Sequence, residues 1–265
     1  MLHPANSVQY SHSMPSTSPA LPWLAPDQDF PPIHQAWDRH TPAPGLLAAG
    51  GALNANTLQR AYSKGIFPWF SDDQPILWWS PEPRMVLIPT EFRLHSSLRK
   101  KLQKFCKTEG CEIRIDTAFE QVIQACSNSP RNGQAGTWIV PDIIFAYMEL
   151  HRIGLAHSIE TWINGKLVGG LYCVALGKTV FGESMFCHLT DASKIALSAL
   201  VCFCLKHEIQ QIDCQQNTTH LASLGACEIS RAMFSEQVTR GLAQPAPVWQ
   251  FDSLYWQMLL SPTQP

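Results

Sequence analysis

Charge is scarce in this chain. Only 15% of its 265 residues are Asp, Glu, Lys or Arg, where about a quarter is usual. The formal net charge of −2 excludes a globally basic nucleic-acid binder but not a local basic patch. No apolar run reaches the roughly 18 residues that a membrane-spanning helix needs. The N-terminus lacks both an early basic region and a continuous apolar core, so no secretion signal is expected. Nine cysteines are present, an odd number, and no Cys-x-x-Cys occurs among them. Most sit in apolar runs such as "LVCFCL". That argues against a disulfide scaffold or a zinc site and for buried, reduced thiols, with oxidation or metal binding at Cys202 and Cys204 as the alternative. There is no internal repeat. The expectation is a soluble cytoplasmic protein of one or two domains, with ample room for a core.

Four stretches differ in composition. Residues 1–20 are rich in Ser and Pro, with two His, and read as a disordered tail. Residues 21–89 mix aromatics with prolines and read as a small N-terminal domain, in which "LNANTLQRAYSKG" is a helix capped by Asn54 or Asn56 and stopped by Gly65. Residues 90–240 carry a basic helix, then "DTAFEQVIQACSN", with Phe119, Val122, Ile123 and Cys126 at helical spacing. "VPDIIFAYMELHRIG" is a further helix, with Pro141 in its first turn. A meander follows, turning at Asn164-Gly165 and Gly177-Lys178. A long helix capped near Thr190 or Asp191 leads into the strand "QQIDCQ". This order predicts an α+β or α/β fold of the acetyltransferase kind. Residues 241–265 form a C-terminal extension.

Several groups could carry chemistry. In a strand, alternate residues share a face, so Asp213 and Gln215 of "IDCQ" would point the same way. A buried Asp must be hydrogen-bonded. The pattern predicts that Asp213 accepts from the Gln215 side-chain amide, either as a catalytic relay or as a purely structural pair. Glu183 lies between apolar residues in "VFGESMF", as a strand-end charge or as a group holding a substrate amine. Met185, Leu171 and Leu197 could line an apolar pocket or simply pack the core. Arg93, Arg99, Lys100, Lys101, Lys104 and Lys107 make a run of six basic residues with no acid between them. The run suits phosphate contacts, although a solvated helix face would look the same. "GIFPWFSDDQPILWWSP" is dense in aromatics, which serve core packing or stacking on an unpaired base.

Six strings then occur in order: "GLLAAGGAL", "AYSKGIFPWFSDDQPILWWSPEPRMVL", "GTWIVPDIIFAYMELHRIGLAHSIETW", "LVGGLYCVALGKTVFGESMF", "DASKIALSAL" and "IDCQQNTTHLASLGACEISR". Together they closely resemble the bacterial leucyl/phenylalanyl-tRNA–protein transferases, from about residue 22 to residue 234. The resemblance implies a small N-terminal domain joined to a GNAT (acetyltransferase-like) domain, giving an α+β fold. It implies transfer of Leu or Phe from leucyl-tRNA or phenylalanyl-tRNA to the N-terminal amine of proteins beginning with Arg or Lys. Such products are marked for degradation by the N-degron pathway. It implies no cofactor and no metal; no membrane partner and a monomer are expected.

By matched motif, Asp213 and Gln215 become the catalytic relay, and Glu183 the residue that orients the substrate amine. Trp69 and Trp138 fall where the terminal adenosine is bound. Leu171, Met185, Leu197 and Ile212 match the pocket for the Leu or Phe side chain, and the basic run matches the tRNA-binding region. This chain departs from the family pattern in having Leu171 where Met is usual, Gly50-Gly51-Ala52 where Gly-Gly-Asp is usual, and "EISR" for "EIPR". The alternative reading is an acyl-CoA-dependent N-acetyltransferase of the same fold. It needs a Gly-rich pyrophosphate-binding turn before the long helix, where "GESMFCHLTDASK" offers one Gly.

Overall fold

The computed structural model describes residues 20–129 and 139–261; the expected tail at 1–20 lies almost wholly outside them. Strands β1 (Trp23–Leu24), β2 (Leu46–Gly50), β3 (Phe67–Pro68) and β4 (Leu77–Trp79) form a small sheet in the order β1-β2-β4-β3. Helix α1 (Ala55–Ser63) sits between β2 and β3 in the chain. Its cap is Asn54, whose side chain accepts from the Thr57 amide. Gly65 ends it at φ +71°, where a Cβ would come within 2.8 Å of the Phe234 ring. Only glycine suits both constraints.

The larger sheet has seven strands: β5 (Arg84–Leu87), β6 (Cys111–Ile115), β7 (Ala156–Ile163), β8 (Lys166–Leu176), β9 (Thr179–Cys187), β10 (Ile212–Gln215) and β11 (Cys227–Ile229). Their order is β11-β5-β10-β9-β8-β7-β6. Residues 84–87, read from the sequence with the N-terminal stretch, thus belong to the large sheet. All its pairs are antiparallel except β9 with β10. A parallel neighbour cannot be reached by a tight turn, and the crossover is the long helix α5 (Ala192–Lys206).

Strand alternation sorts the core into two layers. Tyr172, Val174 and Leu176 of β8 face one cluster, which also takes residues of α1, α3 (Phe119–Ser127), α4 (Pro141–Arg152) and α7 (Arg231–Leu242). Leu171, Cys173 and Ala175 face the other, built on α5 and α2 (Ser96–Phe105). The first cluster extends to Leu47 and Trp78, so the small sheet shares it. Helix α5 is apolar nearly all round and is buried accordingly. Gly169 of β8 allows its close approach, since a Cβ there would lie 2.5 Å from the Ala192 Cβ.

Two short helices complete the chain, α6 (Thr219–Ser223) and α8 (Gln257–Leu260). The C-terminal extension packs on the α5 layer. Trp256 is buried, Trp249 stacks between His157 and Phe203, and the Leu259 carbonyl accepts from Arg99. Of the cysteines, Cys126, Cys173, Cys202 and Cys204 fill the core, but Cys106, Cys187 and Cys227 are exposed. The expectation of burial fails at those three because each lies at or beyond the end of an element.

Candidate active site

Strands β9 and β10 run side by side for two residue pairs, Ile212 with Val180 and Asp213 with Phe181. Their pairing stops there, and a pocket opens where β10 ends and β9 runs on to Cys187. Crevices where neighbouring parallel strands part are common ligand sites. The cavity measures about 330 Å³, at the small end of ligand pockets. Leu171, Met185, Leu197 and Ile212 line it together with Glu183, Asp213 and Gln215. The structure therefore brings seven residues singled out in the sequence into one cavity.

The "IDCQ" strand does not alternate as expected. A bulge falls between Asp213 and Gln215, and Gln215 adopts φ +59°, the left-handed region. Asp213 holds this conformation by accepting from the Gln215 backbone N–H at 2.9 Å. Correspondingly, the Gln215 side-chain amide does not reach Asp213. It donates to the Gly182 carbonyl at 2.8 Å and to Glu183 Oε1 at 3.2 Å. The predicted hydrogen bond between the two side chains is corrected: the extra residue of the bulge re-aims Gln215 across the gap to β9.

Asp213 is instead bound by a residue that the sequence reading missed. Arg84 of β5 donates from Nε to Oδ1 at 2.7 Å and from Nη2 to Oδ2 at 2.6 Å. Both side chains are about 1% exposed. Arg84 also donates to the Gly65 carbonyl at 3.1 Å and lies between the rings of Phe67 and Phe234. The pair is bidentate, the strong form of a carboxylate contact. The available signal was a lone Arg in the apolar run "PRMVLIP", since a buried cation demands a buried anion.

Glu183 has a different shell. Tyr62 of α1 donates to Oε1 at 2.7 Å, and Tyr147 of α4 to Oε2 at 3.2 Å. The two tyrosine hydroxyls also touch each other. Burial raises the Glu183 carboxyl from its ordinary 4.5 to about 8, against the opposing pull of the Tyr62 hydrogen bond. Burial also pushes both phenols well above 10, so they remain protonated donors. Neither tyrosine was singled out in the sequence. They sit at helical spacing in "QRAYSKG" and "IFAYMEL", where an aromatic reads simply as core.

The remaining predicted residues lie apart. Trp69 does not line the pocket; it packs half-buried on the first cluster, 5.5 Å from the Trp79 ring centroid. Trp138 is outside the described residues. In the basic run, Arg93, Lys100, Lys101, Lys104 and Lys107 are exposed, while Leu98, Leu102 and Phe105 bury the opposite face of α2. Arg99 is half-buried on the Leu259 carbonyl, and Lys101 pairs with Asp191. Among the described residues no cluster of three or more His, Cys, Asp or Glu side chains is placed to hold a metal ion, and no helix is long and apolar enough to cross a membrane.

Residues 86–239 match the family model described as leucyl/phenylalanyl-tRNA protein transferase, and residues 51–82 match that of its N-terminal domain. The chain is 66% identical to a leucyl/phenylalanyl-tRNA–protein transferase of Albidiferax ferrireducens, covering 94% of this chain and 98% of that one. It is 62% identical to the protein of the same name from Polaromonas sp., over 92% and 96%. For the one from Paraburkholderia phytofirmans the identity is 56%, over 88% and 95%. A solved structure of a functionally unknown Staphylococcus epidermidis protein aligns at a TM-score of 0.34 and 10% identity over 70% of this chain and 68% of that one, too low to bear on the fold.

Proposed function

We infer the reaction from one premise: the chain belongs to the leucyl/phenylalanyl-tRNA protein transferase family. It moves Leu or Phe from aminoacyl-tRNA to the N-terminal amine of a protein. The observation that carries this reading at residue level is the mixed lining of the pocket. Its apolar side, Leu171, Met185, Leu197 and Ile212, suits an uncharged side chain. A charged one would lose its hydration there without a partner. Its polar side, Glu183 and Gln215, stands where an amine and an ester carbonyl could meet. Because the aminoacyl ester is already activated, the enzyme needs positioning and charge stabilisation more than a strong base.

Acceptors are proteins beginning with Arg or Lys, and the product is marked for degradation by the N-degron pathway. The protein works in the cytoplasm as a monomer. Its catalytic set is Asp213, Gln215 and Glu183. Trp69 and Trp138 bind the terminal adenosine, and the basic run around α2 takes the acceptor stem, with Lys100, Lys104 and Lys107 left exposed for phosphates. The domain from about residue 90 to 240 is of the GNAT kind. The parallel β9/β10 pair joined by α5 supports that reading.

The acyl-CoA reading finds no support in the family matches. It would also need a pyrophosphate at the N-terminus of α5. There Asp191, at φ +67°, presents a carboxylate already bound by Lys101 and Lys194.

The test is transfer of radiolabelled Leu from leucyl-tRNA to a peptide beginning with Arg, against the same peptide acetylated at its N-terminus. Labelling of the free peptide alone is expected. Labelling of neither, with Leu or Phe, would sink the reading.

A further inference from the structure

We propose that Glu183, rather than Asp213, takes the proton from the attacking amine, and that Arg84, Tyr62 and Tyr147 are positioning residues that divide the two carboxylates between different tasks. The proposal rests on the aminoacyl-transfer reading above and deepens it. Its ground is geometric. Both oxygens of Asp213 are committed, Oδ1 to Arg84 and to the Gln215 N–H, Oδ2 to Arg84. A proton placed there would have to break a buried bidentate ion pair. Asp213 therefore acts as a brace that holds the bulge and aims Gln215.

Glu183 meets only neutral donors among the described residues: the hydroxyls of Tyr62 and Tyr147 and the amide of Gln215. It lines the same pocket and is free to change charge. The ionisable groups around it come from every neighbouring element. Tyr62 on α1, Tyr147 on α4, Arg84 on β5 and Asp213 on β10 all act on its charge. Cys173 of β8 lies within reach of its charge, and Tyr172, Cys214 and His220 also line its pocket. Burial brings its carboxyl to about 8, close to the roughly 7.7–8.0 of a peptide α-amine. Proton exchange between the two is then nearly balanced, the condition for efficient acid–base catalysis.

The ammonium group gives one proton to the Glu183 carboxylate, and the neutral amine attacks the ester carbonyl carbon. The C–N bond forms. As the C–O bond to the ribose breaks, the Glu183 carboxyl gives its proton to the leaving oxygen. The carboxylate then takes the second proton from nitrogen and releases it to water. Ammonium and ester become amide, alcohol and one proton.

The test is the pH dependence of Leu transfer from leucyl-tRNA to an Arg-initiated peptide at saturating substrate, from about pH 6 to about pH 9.5. Glu183→Gln should lose about 10²- to 10⁴-fold in kcat with KM little changed, and should lose the enzyme's own inflection. Asp213→Asn should keep that inflection and lose less. Tyr62→Phe should move it upward, because the hydroxyl favours the ionised carboxylate. An inflection that survives Glu183→Gln but vanishes in Asp213→Asn overturns the proposal. Should either variant fail to fold, Tyr62→Phe decides alone, and an unmoved inflection overturns it. Wild-type protein that transfers neither Leu nor Phe overturns the aminoacyl-transfer reading itself, a result plainly distinct from an active enzyme with the wrong profile.

Discussion

Asp213, fully buried, and Glu183, partly exposed, are carboxylates at the mouth of one pocket, and their surroundings treat them oppositely. Asp213 faces a guanidinium held in place by two aromatic rings and the Gly65 carbonyl. Glu183 faces two phenols and an amide. A bidentate guanidinium occupies both oxygens of the acid it binds, while neutral donors leave an acid able to bind and release a proton. Neighbours set the role of each carboxylate, and those neighbours come from β5, α1 and α4, all remote in sequence.

The largest effect is expected at Arg84. Arg84→Met leaves Asp213 buried with no counter-charge and should destabilise the fold by about 3–5 kcal/mol in denaturant titration. Near-wild-type stability would mean that the pair is not what holds the β5–β10 side of the site. The Glu183 side can be read through pH. Its folded value of about 8 lies above the ordinary 4.5, so the folded state holds a proton that the unfolded chain has released. That stability is fully present below about 4.5 and is lost as pH rises to about 8. The melting temperature should fall across this window, and Glu183→Gln should flatten the fall. A Glu183→Gln curve as steep as the wild type's would assign the slope to another group.

A smaller effect tests whether the apolar wall is separable from the carboxylates. Gly169→Ala pushes its Cβ against Ala192 and shifts α5, which carries Leu197. A loss of about 1–3 kcal/mol is expected, with weaker use of leucyl-tRNA and an unmoved pH inflection. The smallest effect lies furthest from the chemistry. Lys104→Ala should weaken tRNA binding modestly and lower the salt dependence by about one counterion. An unchanged slope in a filter-binding series would remove Lys104 from the interface.

Much of this was legible along the chain. The spacing of Phe119, Val122, Ile123 and Cys126 fixed α3 and its buried face, and Asn54 and Gly65 delimited α1. Asn164-Gly165 marked the β7–β8 turn. These are local signals, decided within a few residues by capping, backbone freedom and periodicity. The alternation rule failed at Asp213 and Gln215, where a bulge adds a residue that no period-2 pattern contains.

The sequence alone determined which acids, amides and apolar groups this protein has, the elements that carry them, and its family. Tertiary structure alone decided which acid would face a cation. Arg84 and Asp213 are 129 residues apart, and Tyr62 and Glu183 121. A carboxylate's behaviour in a dry site depends on charges and donors within a few ångströms, and only the folded chain brings them there.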